Sequence, residues 1–102
     1  KRRSIVEAKL EFPTIDFSHI EHVEDIMWNP TERETAISKS DRAYRFLVDF
    51  IQSRPEQEIA VVSHSAFLFN MLNAVIDCGD DKELNRWFLT SEIRSMRLTF
   101  EN

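Results

Sequence analysis

The chemistry this sequence could perform is concentrated at one turn. Ile59-Ala60-Val61-Val62 is continuously apolar and passes at once into Ser63-His64-Ser65. Phe67, Leu68, Met71, Leu72, Val75 and Ile76 then recur at helical spacing. A buried strand, a polar turn and the start of a helix would place an imidazole where backbone N–H groups lack partners and the helix dipole is positive. Such a place favours a phosphoryl or carboxylate group, with His64 adding a further donor or a positive charge. The same residue types also suit a plain helix cap beside a solvent-facing histidine, and spacing alone leaves both readings open.

Other chemistries fit less well. Val62-Ser63-His64-Ser65-Ala66-Phe67 has the outline of a nucleophile elbow, but Phe67 stands where the sharp turn needs a small residue. No histidine follows residue 64 to act as a downstream base. His19, His22 and Asp25 are spaced so that one helical face could present them to a metal, yet their segment has no helical period, and solvated surface residues are the simpler reading. Asp80-Asp81-Lys82-Glu83 reads as a wet loop without the spacing of a calcium site. The single cysteine, Cys78, can form neither an internal disulfide nor a cysteine-rich zinc site, which points to a reducing, cytoplasmic home. The single glycine, Gly79, rules out glycine-rich nucleotide cradles.

The elements that must position the turn follow from periodicity. Residues 1–32 lack a sustained period, carry isolated apolar anchors and are broken by Pro13 and Pro30, which predicts an extended, partly docked arm. A short helical turn near 18–23 could start at Ser18, with Glu21 three residues on. From about Thr35 the pattern changes. Ala43, Phe46, Leu47, Phe50 and Ile51 form one apolar helical stripe, ended by Arg54-Pro55. The run 59–62 reads as a central parallel strand, because β-branched residues fill three of its four positions. The next helix stops at Cys78-Gly79, where the glycine suits a left-handed cap. Met96, Leu98 and Phe100 alternate with polar residues and predict a final strand.

Thirteen Lys and Arg against eighteen Asp and Glu leave a net charge of −5, which offers no general field to nucleic acid or an anionic membrane surface. No apolar run is long enough for a signal segment or a membrane span. With 102 residues the chain reads as one domain or part of one, 1–32 being the arm and 35–102 an α/β part.

The run Ile59-Ala60-Val61-Val62-Ser63-His64-Ser65-Ala66-Phe67-Leu68 resembles the second-histidine motif of the histidine phosphatase superfamily, the phosphoglycerate mutase-like fold. Three flanking features agree with its plant, fungal and protist branch. Asp25-Ile26-Met27-Trp28 with Glu32-Arg33-Glu34-Thr35 is similar to the D-x-x-W and R-E-[ST] segment, Ser91-Glu92-Ile93-Arg94-Ser95-Met96 to the closing E-[IL]-R-S strand, and Lys1-Arg2-Arg3-Ser4 to a D-K-R segment.

The resemblance implies the C-terminal part of a three-layer α/β/α sandwich. It also implies a phosphomonoester hydrolase or mutase-like protein that works through a phosphohistidine. In that family a first histidine, within R-H-G, attacks phosphorus, arginines clamp the phosphate and a carboxylic acid protonates the leaving oxygen. None of these has a counterpart here. Only the second histidine matches, as His64, whose implied role is to donate to the phosphoryl oxygens in the transition state. Ser65 and Ala66, which open the following helix, are the substrate-binding candidates. No metal or organic cofactor is implied. The expected partner is a small phosphorylated substrate, with dimerisation or dependence on a missing N-terminal part, and the chain alone should not turn over. The competing expectation is a non-catalytic phosphate- or partner-binding α/β module.

Overall fold

Ser4 starts the first helix. Its backbone is extended and its Oγ accepts the Glu7 N–H at 3.3 Å, so one of the four donors that a helix start leaves open is satisfied. The helix, α1 (Ile5–Glu11), carries Glu7 in its first turn and Lys9 in its last, both signs matched to its dipole. This element belongs to a computed structural model that describes residues 1–101, in which the chain divides into two units, Lys1–Arg33 and a second beginning at Glu34.

In the first unit the N-terminal residues are stitched to 22–25 by the backbone. The Arg2 guanidinium donates to the carbonyls of His22 (2.8 Å), Val23 (3.1 Å) and Glu24 (3.1 Å), and the Ile5 N–H reaches the Val23 carbonyl at 2.9 Å. Ile5 is buried, while Val6 and Leu10 on the same helix are exposed. The turn expected at 18–23 is absent as a helix. In its place is a single turn closed by the Ile20 N–H on the Phe17 carbonyl.

The second unit is built on two helical segments. Thr35 caps α2 (Ala36–Arg45) by accepting the Ser38 N–H at 3.1 Å. The helix widens without a break into a π-helical turn, Phe46–Phe50, and tightens into a 3₁₀ turn, Ile51–Ser53. Arg54 is extended ahead of Pro55, as the pre-proline position requires. The second segment, α3 (Ser65–Asn70), likewise runs on as a π-helical turn, Met71–Val75. Ala43, Leu47 and Met71 form the buried centre between the two, with Phe46, Ile51, Phe67, Leu68, Val75, Ile76 and Leu98 packed around it. The apolar stripes read from the sequence are therefore the faces that meet.

Asp81 caps a short helix, α4 (Lys82–Asn85), where a loop was expected. Gly79 does adopt the left-handed backbone, at φ 60°, but α3's continuation has already ended at Val75. The glycine sits in a turn whose N–H is taken by Asp77 Oδ1 at 2.9 Å.

The expected α/β/α sandwich is not what forms. Among the described residues there is no strand and no sheet. The run 59–62 is irregular chain, none of the main-chain groups of 57–63 has a hydrogen-bond partner among the described residues, and Val62 is 96% exposed. The reason is physical: β-branched residues favour a pleated surface that neighbours cover, and a parallel strand needs ladders on its flanks. The second alternating segment, around 96–100, lends no such ladder, and only Leu98 joins the core. No helix among the described residues is long and apolar enough to cross a membrane.

Candidate functional site

His64 is the residue at which α3 begins. Its backbone is extended (φ −90°, ψ 154°) and its carbonyl accepts the Leu68 N–H at 3.0 Å, which makes it the cap position of the helix. Its imidazole does not fold back to cap that helix, is exposed, and has no hydrogen-bond partner among the described residues. Ser65 and Ala66 follow as the first helical residues, half-buried, with Phe67 and Leu68 turning into the core. The three candidates thus lie on one turn, with the histidine facing solvent and its neighbours anchored.

The remaining motif residues prove to be fasteners. Glu34, which precedes the α2 cap, binds Arg42 through two hydrogen bonds of 2.6 Å each and takes the Ser38 hydroxyl at 2.7 Å. The Arg42 guanidinium, helped by Ser38, holds the Glu34 carboxyl down to about 2. The same guanidinium lies over the Phe67 ring at 4.7 Å. In the first unit, Asp25 accepts the Arg2 N–H at 3.0 Å and Lys1 Nζ stands 5.6 Å from the Trp28 ring. Arg3 pairs with Glu11. Arg2 and Arg3 are thereby occupied within their own unit.

The densest polar cluster lies in the last motif. Arg94 donates to the carbonyls of Leu84 (2.7 Å), Arg86 (2.6 Å) and Trp87 (2.7 Å), and to Glu92 Oε2 at 2.6 Å. Its guanidinium carbon is 3.7 Å from the Phe88 ring centre. Glu92 also accepts from Arg86 Nη1 (3.0 Å) and the Leu89 N–H (2.9 Å), and Arg94 with these partners holds its carboxyl down to about 2. With 6% of the Arg94 side chain and 14% of the Glu92 side chain exposed, the pair locks 84–94 from inside. The family resemblance implies a strand over Glu92 and Arg94, which does not form; the alternation of residue types carries no sign that one arginine will collect three carbonyls.

Among the described residues no group of three or more His, Cys, Asp and Glu could hold a metal ion. His19, His22 and Asp25 border a shallow depression with Arg2, but Asp25 is already engaged by the Arg2 backbone. The Cys78 thiol donates to the Leu72 carbonyl at 3.3 Å, and burial, with Asp77 and Asp81 nearby, raises its pKa and so disfavours the reactive thiolate.

Comparison with known sequences finds three relatives from Arabidopsis thaliana. The chain is 44% identical over 99 residues to a protein named phosphoglycerate mutase-like protein, covering 94% of this chain and 36% of the relative. It is 43% identical over 99 residues to phosphoglycerate mutase-like protein 1, covering 94% of this chain and 35% of the relative. It is 39% identical over 101 residues to phosphoglycerate mutase-like protein 2, covering 96% and 29%. The chain spans about a third of the length of these relatives. No family model and no solved structure matches it.

Proposed function

Over nearly all of its length the chain belongs with the phosphoglycerate mutase-like proteins, and on that premise we propose that it carries one part of a phosphoryl-transfer site, with His64 as its working residue. In the proposed reaction a histidine nitrogen attacks the phosphorus of a small phosphomonoester. The bond to the leaving oxygen breaks, a carboxylic acid supplies the proton that this oxygen takes up, and water later releases phosphate from the phosphohistidine. His64 donates to the phosphoryl oxygens as charge builds on them. The attacking histidine, in R-H-G, has no counterpart in these residues, so in this scheme it comes from other polypeptide and the 102 residues by themselves should not turn over. The scheme calls for no metal and no organic cofactor, and a cytoplasmic setting suits a free Cys78.

The observation that carries this reading is the state of His64: exposed, unbonded and set at the entry of a helix whose next residues are anchored. A second reading, phosphate or partner binding without catalysis, is favoured by a different observation. Arg42, Arg45, Arg54, Arg86 and Arg94 in this unit are all engaged by carboxylates, so none of these five guanidinium groups is held ready as a phosphate clamp. Two measurements on the 102-residue chain test the proposal. The His64 ring resonances should move on titration with inorganic phosphate, those of His19 and His22 less, and p-nitrophenyl phosphate should not be hydrolysed. Hydrolysis with acid-labile phosphohistidine would overturn the division of labour, and an unresponsive His64 would remove its assigned role.

A further inference from the structure

His64 has no side-chain bond of its own to fix it, so its placement depends on what holds the first turn of α3. Two contacts hold that turn. One is apolar, through Phe67 and Leu68 onto the Ala43, Leu47 and Met71 core. The other is Arg42, whose guanidinium lies on the Phe67 ring at 4.7 Å. Arg42 is itself held as a planar fork, with Nε on one Glu34 oxygen and Nη2 on the other, while the Ser38 hydroxyl steadies the carboxylate. A guanidinium clamped by two bonds has lost the freedom of a long side chain, so the plane it presents to Phe67 is fixed by Glu34.

We propose that Arg42, oriented by Glu34, is a positioning residue for the His64 turn. The inference builds on the reading of His64 as a phosphoryl ligand, but it makes a separate claim: the start of α2 determines where the α3 cap residue sits. It gives Glu34, within the R-E-T run, a task beyond its ion pair, and it couples two segments 22 residues apart through that pair and one ring face. Lysine would keep the charge and lose the fork, so a merely charged residue should not substitute.

The test uses the 102-residue chain and four proteins: the native sequence, Arg42→Ala, Arg42→Lys and Glu34→Gln. Circular dichroism first sets a temperature at which all four are folded. The amide resonances of His64, Ser65 and Ala66, the Phe67 ring resonances and the affinity for inorganic phosphate are then compared. The expected result is that Arg42→Ala shifts both the Phe67 ring and the 64–66 amides and weakens phosphate binding by about three- to fivefold, the loss of one exposed cation–ring contact. Glu34→Gln should shift the same signals in the same direction, and Arg42→Lys should leave them displaced although the charge is restored. If the Phe67 ring moves while the 64–66 amides stay, or if lysine restores the native spectrum, the positioning role is overturned. A native chain that ignores phosphate would refute the phosphoryl reading instead, and the amide shifts would still decide the role of Arg42.

Discussion

Replacing Glu34 by glutamine tests the electrostatics of the second unit most sharply. The carboxyl is held from 4.5 down to about 2, first by its hydrogen bonds to Arg42 and then by Ser38. Taken at face value that drop corresponds to a ceiling of roughly 3 kcal/mol of folding stability. Solvent reaches both partners, with 52% of the Arg42 side chain and 28% of the Glu34 side chain exposed, and screening reduces the expected worth to about 1 kcal/mol. Because the folded-state pKa is lowered, the contribution is fully present above about pH 4.5, the unfolded value, and is lost as pH falls towards about 2. Urea unfolding followed by helical circular dichroism should therefore show Glu34→Gln less stable than the native chain near neutrality, with the gap closing below about pH 4. The other acids titrate in both proteins, so only the difference between them reports Glu34. A gap that persists unchanged at about pH 3, or no gap near neutrality, would refute the reasoning.

Further outcomes follow from the other fasteners. Arg94→Met keeps bulk but removes every donor from three carbonyls and Glu92, and should cost about 3 kcal/mol in the same unfolding measurement. Arg2→Ala should raise amide hydrogen exchange across 22–25, since its guanidinium holds the carbonyls of His22, Val23 and Glu24, while exchange within α2 stays unchanged. Ser91 has φ 61° in the turn closed by the Glu92 N–H on the Leu89 carbonyl at 3.1 Å. Ser91→Val should thus cost about 1–2 kcal/mol on thermal unfolding and Ser91→Gly much less, because a β-branched side chain is strained there and glycine is not.

The sequence made the two meeting faces legible because each is a long run of apolar residues at helical spacing, and the Thr35 start and the Pro55 stop are local rules. The π-helical widening at Phe46–Phe50 and Met71–Val75 left no mark in that spacing. The Ser4-x-x-Glu7 signal of α1 was present, but a seven-residue helix with one buried side chain has no stripe to reveal it. The strand expectation failed for a different reason. The run 59–62 has the composition of a covered strand, and composition states a preference for neighbours without supplying them. At the candidate site, the His64 turn was readable because its parts are contiguous. The Glu34–Arg42 clamp and the Arg94 cluster depend on geometry that brings a residue before a helix to its second turn, or one guanidinium to three carbonyls, and no periodicity encodes either.

The role proposed for His64 is phosphoryl transfer in a site completed by an R-H-G histidine. Its most direct test is a longer phosphoglycerate mutase-like polypeptide that contains both R-H-G and this sequence, assayed for phosphohistidine formation and phosphomonoester turnover with and without His64→Ala. The expected result is a folded variant whose turnover falls by on the order of a hundredfold or more, the scale of losing a donor to transition-state oxygens. Undiminished turnover in the folded His64→Ala protein would contradict it.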